Sequence, residues 1–277
     1  MELVMELINN LQVQEKTKQG YRNRYKRMVK DGFEVPIGDN EELDKVKEYI
    51  NTIEKNNSKM DLLNMIAIIR KGLGKPITTI DEYRVIMRKE TELKNVEKMS
   101  QRKDTLIEYD QFESELDNVY KKKEWTKYII NYLWFNYGVR NEDVNAKVIT
   151  RKKDMNETEN YLLIQKDKVI YIRNKYKTFS TYGKIVIDIT DRKFRLACKK
   201  VNGYLLNQEA ELGNDLKKYY ILKMTERDIF NIIVDKYYKD KDITKINELS
   251  KSRGTALSTM KSFYNVNAVD EVFREIV

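Results

Sequence analysis

The stretch Ser252–Val266 reads SRGTALSTMKSFYNV and sets two basic side chains, Arg253 and Lys261, among small residues and one tyrosine, Tyr264. Two uses fit that composition. A tyrosine oxygen beside cations is a nucleophile that can hold a reacting group covalently while a site built upstream stabilises the charge. Alternatively, the same residues form a plain helix whose aromatic ring fills a core. Other chemistries are bounded by absence. The chain of 277 residues contains no histidine, which excludes Ser-His-Asp and Cys-His catalysis and imidazole-held zinc. A single cysteine, Cys198, excludes an internal disulfide and a Cys-rich zinc site. Neither GxxxxGK[ST] nor GxGxxG occurs, so no nucleotide-phosphate loop is expected.

Charge placement points to the partner. The formal net charge is +9, and seven basic residues with no acidic one fall between Lys16 and Lys30. Between Lys166 and Lys200, eleven basic residues face only Asp167, Asp188 and Asp191. Two concentrated basic surfaces, one in each half, predict a polyanion gripped from two sides. The competing reading is that both are solvated faces of a lysine-rich protein. Lys18, Arg22 and Lys26 recur at four-residue spacing, which on a helix suits phosphates spaced along a groove.

The elements that would position these residues follow from periodicity. Helices are predicted from Thr17, as N-cap, to about Lys30, then over Glu41–Ile53, Lys59–Gly72 and Ile80 to about Lys98. The polar stretch KMSQRKD, residues 98–104, reads as a linker between domains 1–98 and 105–277. Tyr109–Tyr120 and Trp125–Tyr137 read as helices, with Gly138 breaking the second. Tyr161–Ile164, Val169–Ile172 and Ile185–Ile189 read as strands. From Asn207 onward the pattern is helical again. The fold class is therefore α+β in two domains, a helical N-terminal one and a mixed C-terminal one with a small β-sheet. With no long uncharged apolar run, and acidic residues in MELVMELINN where a signal peptide carries basic ones, an intracellular location is expected.

Three stretches, in chain order, resemble the tyrosine recombinases, the phage-type integrases and their relatives in mobile elements and large DNA viruses. FNYGVRNEDVNAKV, Phe135–Val148, resembles the family's helix end and Gly-Leu-Arg-like turn, with Arg140 in the arginine's place and Asp143 and Val144 matching the residues that follow. IYIRNKYKTFSTYGKIVIDI, Ile170–Ile189, looks like the family's β-hairpin with its Lys-Thr pair; Lys177 fits best and Lys175 is the fallback. RGTALSTMKSFYNV is similar to the family's Gly-His…Ser-Thr…Tyr ending, with Gly254, Ser258, Thr259 and Tyr264 in step. EKTKQGYRNRYKRMV, near the start, looks like the first helix of the family's core-binding domain.

The resemblance implies a helical core-binding domain and a catalytic domain clamped round double-stranded DNA. It implies site-specific cleavage and rejoining through a 3′-phosphotyrosyl intermediate, without metal or nucleotide cofactor. Arg140 would bind the phosphate, Lys177 would protonate the leaving oxygen and Tyr264 would attack, with Lys18, Arg22, Lys26, Lys175 and Lys184 on the DNA backbone. It further implies tetramers on DNA, with Val269, Val272, Phe273 and Ile276 as a short apolar exchange helix. The chain departs from the pattern at the family's second arginine. Asn231 and Val234, or on a looser alignment Asn214 and Lys217, stand where a His-x-x-Arg motif is expected, and Thr255 stands where a His or Trp precedes the tyrosine. Arg253, Lys236 or Lys217 are the candidate replacements. The alternative is a DNA-binding protein descended from such an enzyme and catalytically silent; a third is RNA or protein binding through the Lys166–Lys200 segment.

Overall fold

The computed structural model describes residues 2–33, 42–103, 105–206 and 212–264. The described residues divide into two compact units, with the boundary between residues 97 and 98.

The first unit is helical: α1 (Glu2–Asn9), α2 (Glu15–Lys30), α3 (Glu42–Asn51), α4 (Asn56–Gly72) and most of α5 (Thr78–Lys103), whose last residues, from 98, fall in the second unit. Its core forms where each helix offers an apolar stripe, with Ile8, Met28, Ile50, Met65, Ile66 and Ile69 at 1% exposure or less. On α2, Tyr25 and Met28 point inward and Tyr21 is half-buried, as the periodicity required. Two boundaries differ from expectation. Gln14, not Thr17, precedes α2, whose first turn contains Glu15. Residues 99–103, expected as a linker, are the last turns of α5, because a polar stretch without Gly or Pro can continue a solvated helix; residue 104 is outside the described residues.

The second unit is mixed α and β. Helices α6 (Tyr109–Lys121) and α7 (Trp125–Tyr137) lead into a five-stranded sheet of order β4-β3-β2-β1-β5. Its strands are β1 (Ala146–Ile149), β2 (Asn160–Ile164), β3 (Val169–Arg173), β4 (Ile185–Ile189) and β5 (Gly203–Tyr204), with α8 (Phe179–Tyr182) and α9 (Arg192–Cys198) between the later ones. Strands β1 and β2 are parallel, and the other pairs are antiparallel. Then follow α10 (Leu212–Asp215), a 3₁₀ turn (Leu216–Tyr219), α11 (Glu226–Lys239), α12 (Ile243–Arg253) and α13 (Leu257–Tyr264). Strands β1 and β5 and helix α9 were not expected from the pattern; β1 and β5 are too short to show an alternation.

Alternation sorts the sheet's two faces. Leu162, Val169 and Tyr171 enter the main core with Trp134, Phe135, Phe194, Phe230 and Ile233, whereas Tyr161, Leu163 and Ile172 form a separate cluster with Ile149. Helix α7 is apolar almost all round, and seven of its residues are buried. It ends at Gly138, held at φ 57°, where an added Cβ would lie 2.6 Å from Leu249 Cδ1 and Phe230 Cε2. Gly138→Ala should therefore lower stability by about 3 kcal/mol, from left-handed strain plus overpacking, read as an earlier urea midpoint with an unchanged slope.

Candidate active site

The turn after Gly138 is fixed by Asp143. One carboxylate oxygen of Asp143 accepts from the Arg140 backbone N–H at 3.0 Å and from Arg173 Nη2 at 2.5 Å. Both side chains of the Asp143–Arg173 pair are at 0% exposure. The Asp143 carbonyl accepts from the Tyr171 hydroxyl at 2.7 Å and from Asn160 Nδ2 at 3.3 Å. Arg173 itself lies 4.4 Å from the centre of the Tyr176 ring. The signal for Arg173 was present in β3: alternation puts it on the same face as Val169 and Tyr171, the core side. Removing one partner leaves a buried guanidinium uncompensated, so Asp143→Ala should cost about 3–5 kcal/mol in chemical denaturation.

The turn between α12 and α13 receives side chains from several upstream elements. The Ser252 carbonyl accepts from Arg173 Nη1, and the Arg253 carbonyl accepts from Arg140 Nη1 at 2.6 Å. Thr178 Oγ1 donates to the Gly254 carbonyl at 3.2 Å, which Arg140 Nη2 also approaches at 3.5 Å. Arg140 Nη2 donates to Thr255 Oγ1 at 2.8 Å. Thr255, expected as an inert replacement for an imidazole, is thus a hydrogen-bond partner of Arg140. Gly254 has φ 61°, and a Cβ there would meet Thr178 Oγ1 at 2.6 Å. A glycine is needed at this point so that the loop carrying Lys177 can close on the turn that leads into the tyrosine helix.

Arg253 is at 3% exposure. Its Nη1 donates to the Gly138 carbonyl at 2.5 Å, and its Nη2 lies 2.6 Å from Glu226 Oε1. Its guanidinium stacks 3.8 Å from the centre of the Phe230 ring and 5.3 Å from that of Tyr264. Tyr264 is half-buried and packs edge-on against Phe230, with ring centres 4.7 Å apart. Arg227, exposed in the first turn of α11, lies 5.9 Å from the Tyr264 ring centre. Arg227 was missed in the sequence, although the Thr225–Asp228 capping box places it at a helix start.

Arg140 belongs to the same electrostatic neighbourhood. Burial holds its guanidinium below the usual arginine range, and the like charge of Arg253 pushes the same way. Asp143, Tyr264 and Glu226 pull in the opposite direction. Two guanidiniums close enough to repel each other, next to a phenol, make a place where an added anion would be stabilised.

The other expected site residues divide into groups. Lys177 and Lys175 are exposed on the loop after β3, and Lys184 is exposed just before β4. Asn160 Oδ1 accepts from the backbone N–H of Lys175 at 2.8 Å, which pins that loop to β2. Lys184 lines a groove of about 730 Å³ with Tyr137, Tyr182, Lys245 and Lys251. On α2, Lys18 donates to the Asn9 carbonyl at 2.7 Å; Arg22 bonds Asn9 Oδ1 at 2.8 Å and pairs with Glu15. Lys26 is exposed with no polar partner among the described residues. Asn231 and Val234 are buried in α11 at 1% and 0% exposure, and neither carries a charge. Lys236 pairs with Asp240 at 3.3 Å and lies over the Tyr109 ring, while Lys217 is exposed in the 3₁₀ turn and Asn214 in α10. Of the three candidate replacements, only Arg253 contacts the Tyr264 ring. Val269, Val272, Phe273 and Ile276 lie outside the described residues.

The chain matches no protein-family model, no curated protein and no solved structure. No helix among the described residues is long and apolar enough to cross a membrane.

Proposed function

We propose that this chain is a tyrosine-recombinase-like enzyme that cleaves and rejoins double-stranded DNA through a phosphotyrosyl intermediate. The observation that carries the reading is that Arg140 and Arg253, separated by more than a hundred residues of sequence, meet at the turn that leads into the Tyr264 helix: Arg140 Nη1 donates to the Arg253 carbonyl, and the Arg253 guanidinium lies 5.3 Å from the centre of the Tyr264 ring. In a phosphodiester attacked by the Tyr264 oxygen, negative charge grows on the non-bridging oxygens. Arg140 and Arg253 stabilise that charge, with Arg227 available at the exposed edge. The Tyr264–phosphorus bond forms as the bond to the 5′ oxygen breaks; the phenol's proton passes to solvent, Lys177 supplies the proton that the 5′ oxygen takes up, and the lysine is reprotonated from solvent. The phosphotyrosyl bond preserves the phosphodiester's energy, so the reverse attack by a 5′ hydroxyl rejoins the strand. The helical first unit is the core-binding domain in this reading, and active assemblies are tetramers.

A second reading draws on Arg140 and Arg253 themselves. Arg140 spends donors on the carbonyls of residues 253 and 254 and on Thr255, and Arg253 is nearly sealed by Phe230 and Glu226. Such a pocket also suits a DNA-binding protein whose site is closed and silent. Capture of a covalent adduct on a nicked suicide duplex separates the two: an adduct supports the enzyme, and none on any duplex leaves the binding protein.

Both readings require protein–phosphate pairing. Duplex affinity should fall with salt at a log–log slope of about −5 or steeper, and Lys26→Glu, Lys175→Glu and Lys184→Glu should each reduce that slope by about 1 irrespective of sequence. Arg22→Glu should change the slope less than Lys26→Glu, because Arg22 is already paired with Glu15. A salt-independent complex, measured by fluorescence anisotropy, contradicts both.

A further inference from the structure

The sheet of the second unit has two polar ends, and the site round Tyr264 uses one of them. Register puts Asp143, Arg173, Lys175 and Lys184 together, where β1 and β2 begin, β3 ends and β4 begins. At the opposite end β1 stops at Ile149 and the chain continues through Thr150, Arg151, Lys152 and Lys153. Gly203 of β5 pairs with Val148, so the segment just before it, Lys199–Asn202, lies beside the end of β1. Between them is a groove of about 810 Å³ with Lys147, Arg151, Lys199 and Lys200 in its walls and Ile149, Ile164 and Val201 among its apolar lining.

Most of these cations have no internal use. Arg151 is committed to Asp154, at 3.0 and 3.3 Å, and the Lys147 ammonium rests 5.2 Å from the Tyr204 ring centre. Lys152, Lys153, Lys199 and Lys200 are exposed, and none of their ammonium groups has a hydrogen bond or ion pair among the described residues. A helix C-terminus favours cations, but α9 has seven residues and already carries Arg195 in its last turn, which leaves most of these lysines unaccounted for. Strand pairing brings Arg151 and Lys199–Lys200, far apart in sequence, to one groove, and Lys152 and Lys153 follow Arg151 directly in the chain.

We propose that this groove is a second DNA-binding surface, which takes the phosphate backbone of a duplex other than the one bound at Tyr264. Lysines act here as point charges that hold a phosphate track without reading bases. No aromatic residue lines the groove, so it offers no stacking platform for a single strand. The surface is concave, and its apolar lining residues Ile149, Ile164 and Val201 are buried or half-buried rather than projecting, which disfavours a lipid surface. The groove takes the same class of ligand as the Tyr264 site, and in that it rests on the DNA-binding reading, but it needs none of that site's chemistry. A protein with both surfaces would hold two DNA segments at once.

The test uses the full chain and a variant, Lys152→Glu, Lys153→Glu, Lys199→Glu and Lys200→Glu, altered only at exposed positions. One duplex is fixed to beads, and capture of a second, labelled duplex is followed across a salt series. The wild type should capture the second duplex, and the variant should lose at least tenfold of that capture. The variant's log–log salt slope should be shallower by about 2–4, close to one unit for each phosphate that is no longer neutralised. Its adduct yield on a nicked duplex should equal that of the wild type. Capture that survives in the variant, or that the wild type never shows, overturns the proposal. So does a parallel loss of capture and adduct, which would assign the groove to the duplex at Tyr264. Displacement of the labelled duplex by polyglutamate more readily than by unlabelled DNA of equal charge would also overturn it, and would indicate an acidic polypeptide as occupant. If no adduct forms yet capture depends on the four lysines, the enzymatic reading fails and this one stands.

Discussion

Tyr264→Phe should abolish the denaturant-resistant protein–DNA adduct while leaving duplex affinity and the unfolding midpoint nearly unchanged. The substitution removes the attacking oxygen alone. The ring that packs edge-on against Phe230, and that lies under the Arg253 and Arg227 guanidiniums, is retained. No hydrogen bond from the Tyr264 hydroxyl to a described residue exists to be removed, so stability should change by less than about 0.5 kcal/mol. Adduct yield is read on a denaturing gel with a nicked duplex that cannot religate. An adduct that persists in the variant would mean that another of the nineteen tyrosines attacks, and the site at Tyr264 would be misassigned.

Arg253→Ala should slow cleavage by about 10²–10³-fold, the cost of removing one preorganised donor from a developing oxyanion. The variant also leaves Glu226 without its partner and frees the Gly138 carbonyl, so it should be destabilised. Arg253→Lys separates the two effects. It keeps a charge beside Glu226 but loses the planar fork, so folding should recover while the cleavage rate stays low. Arg140→Lys should behave alike in rate, with some loss of DNA affinity because Arg140 is only half-buried and would also contribute a phosphate contact. If Arg253→Lys cleaves at the wild-type rate, Arg253 is a structural ion pair, and the second cation at the phosphate must be sought at Arg227.

The helices were largely legible because their apolar stripes are long. α4 repeats Leu62, Leu63, Ile66 and Ile69 toward one core, and α7 is so uniformly apolar that burial was its only possible fate. The strands β2, β3 and β4 were legible because each alternates or clusters over five residues. Strands β1 and β5 were not, since four residues and two residues carry no period, and their pairing depends on partners distant in sequence. The end of α5 was misread for a related reason. Polarity identifies a solvated segment but does not distinguish a helix from a linker when neither Gly nor Pro intervenes.

The sequence by itself determined the residue types available for chemistry. Without histidine, and with a single cysteine, any covalent catalysis by an imidazole or thiol pair was excluded before folding was considered. It also set the expected sign of a partner's charge, because the basic blocks are local. What only the tertiary structure decided is which cations face what. Arg173, inside the basic block from Lys166 to Lys200, is sealed against Asp143, and Arg22 is bound to Glu15. Arg253 and Arg227, from separate helices, meet over one tyrosine ring. A charge's cost and use depend on its burial and its neighbours at a few ångströms. For Arg173, Arg253 and Arg227 those distances are fixed by strand register and helix packing between separate segments, which no local pattern encodes.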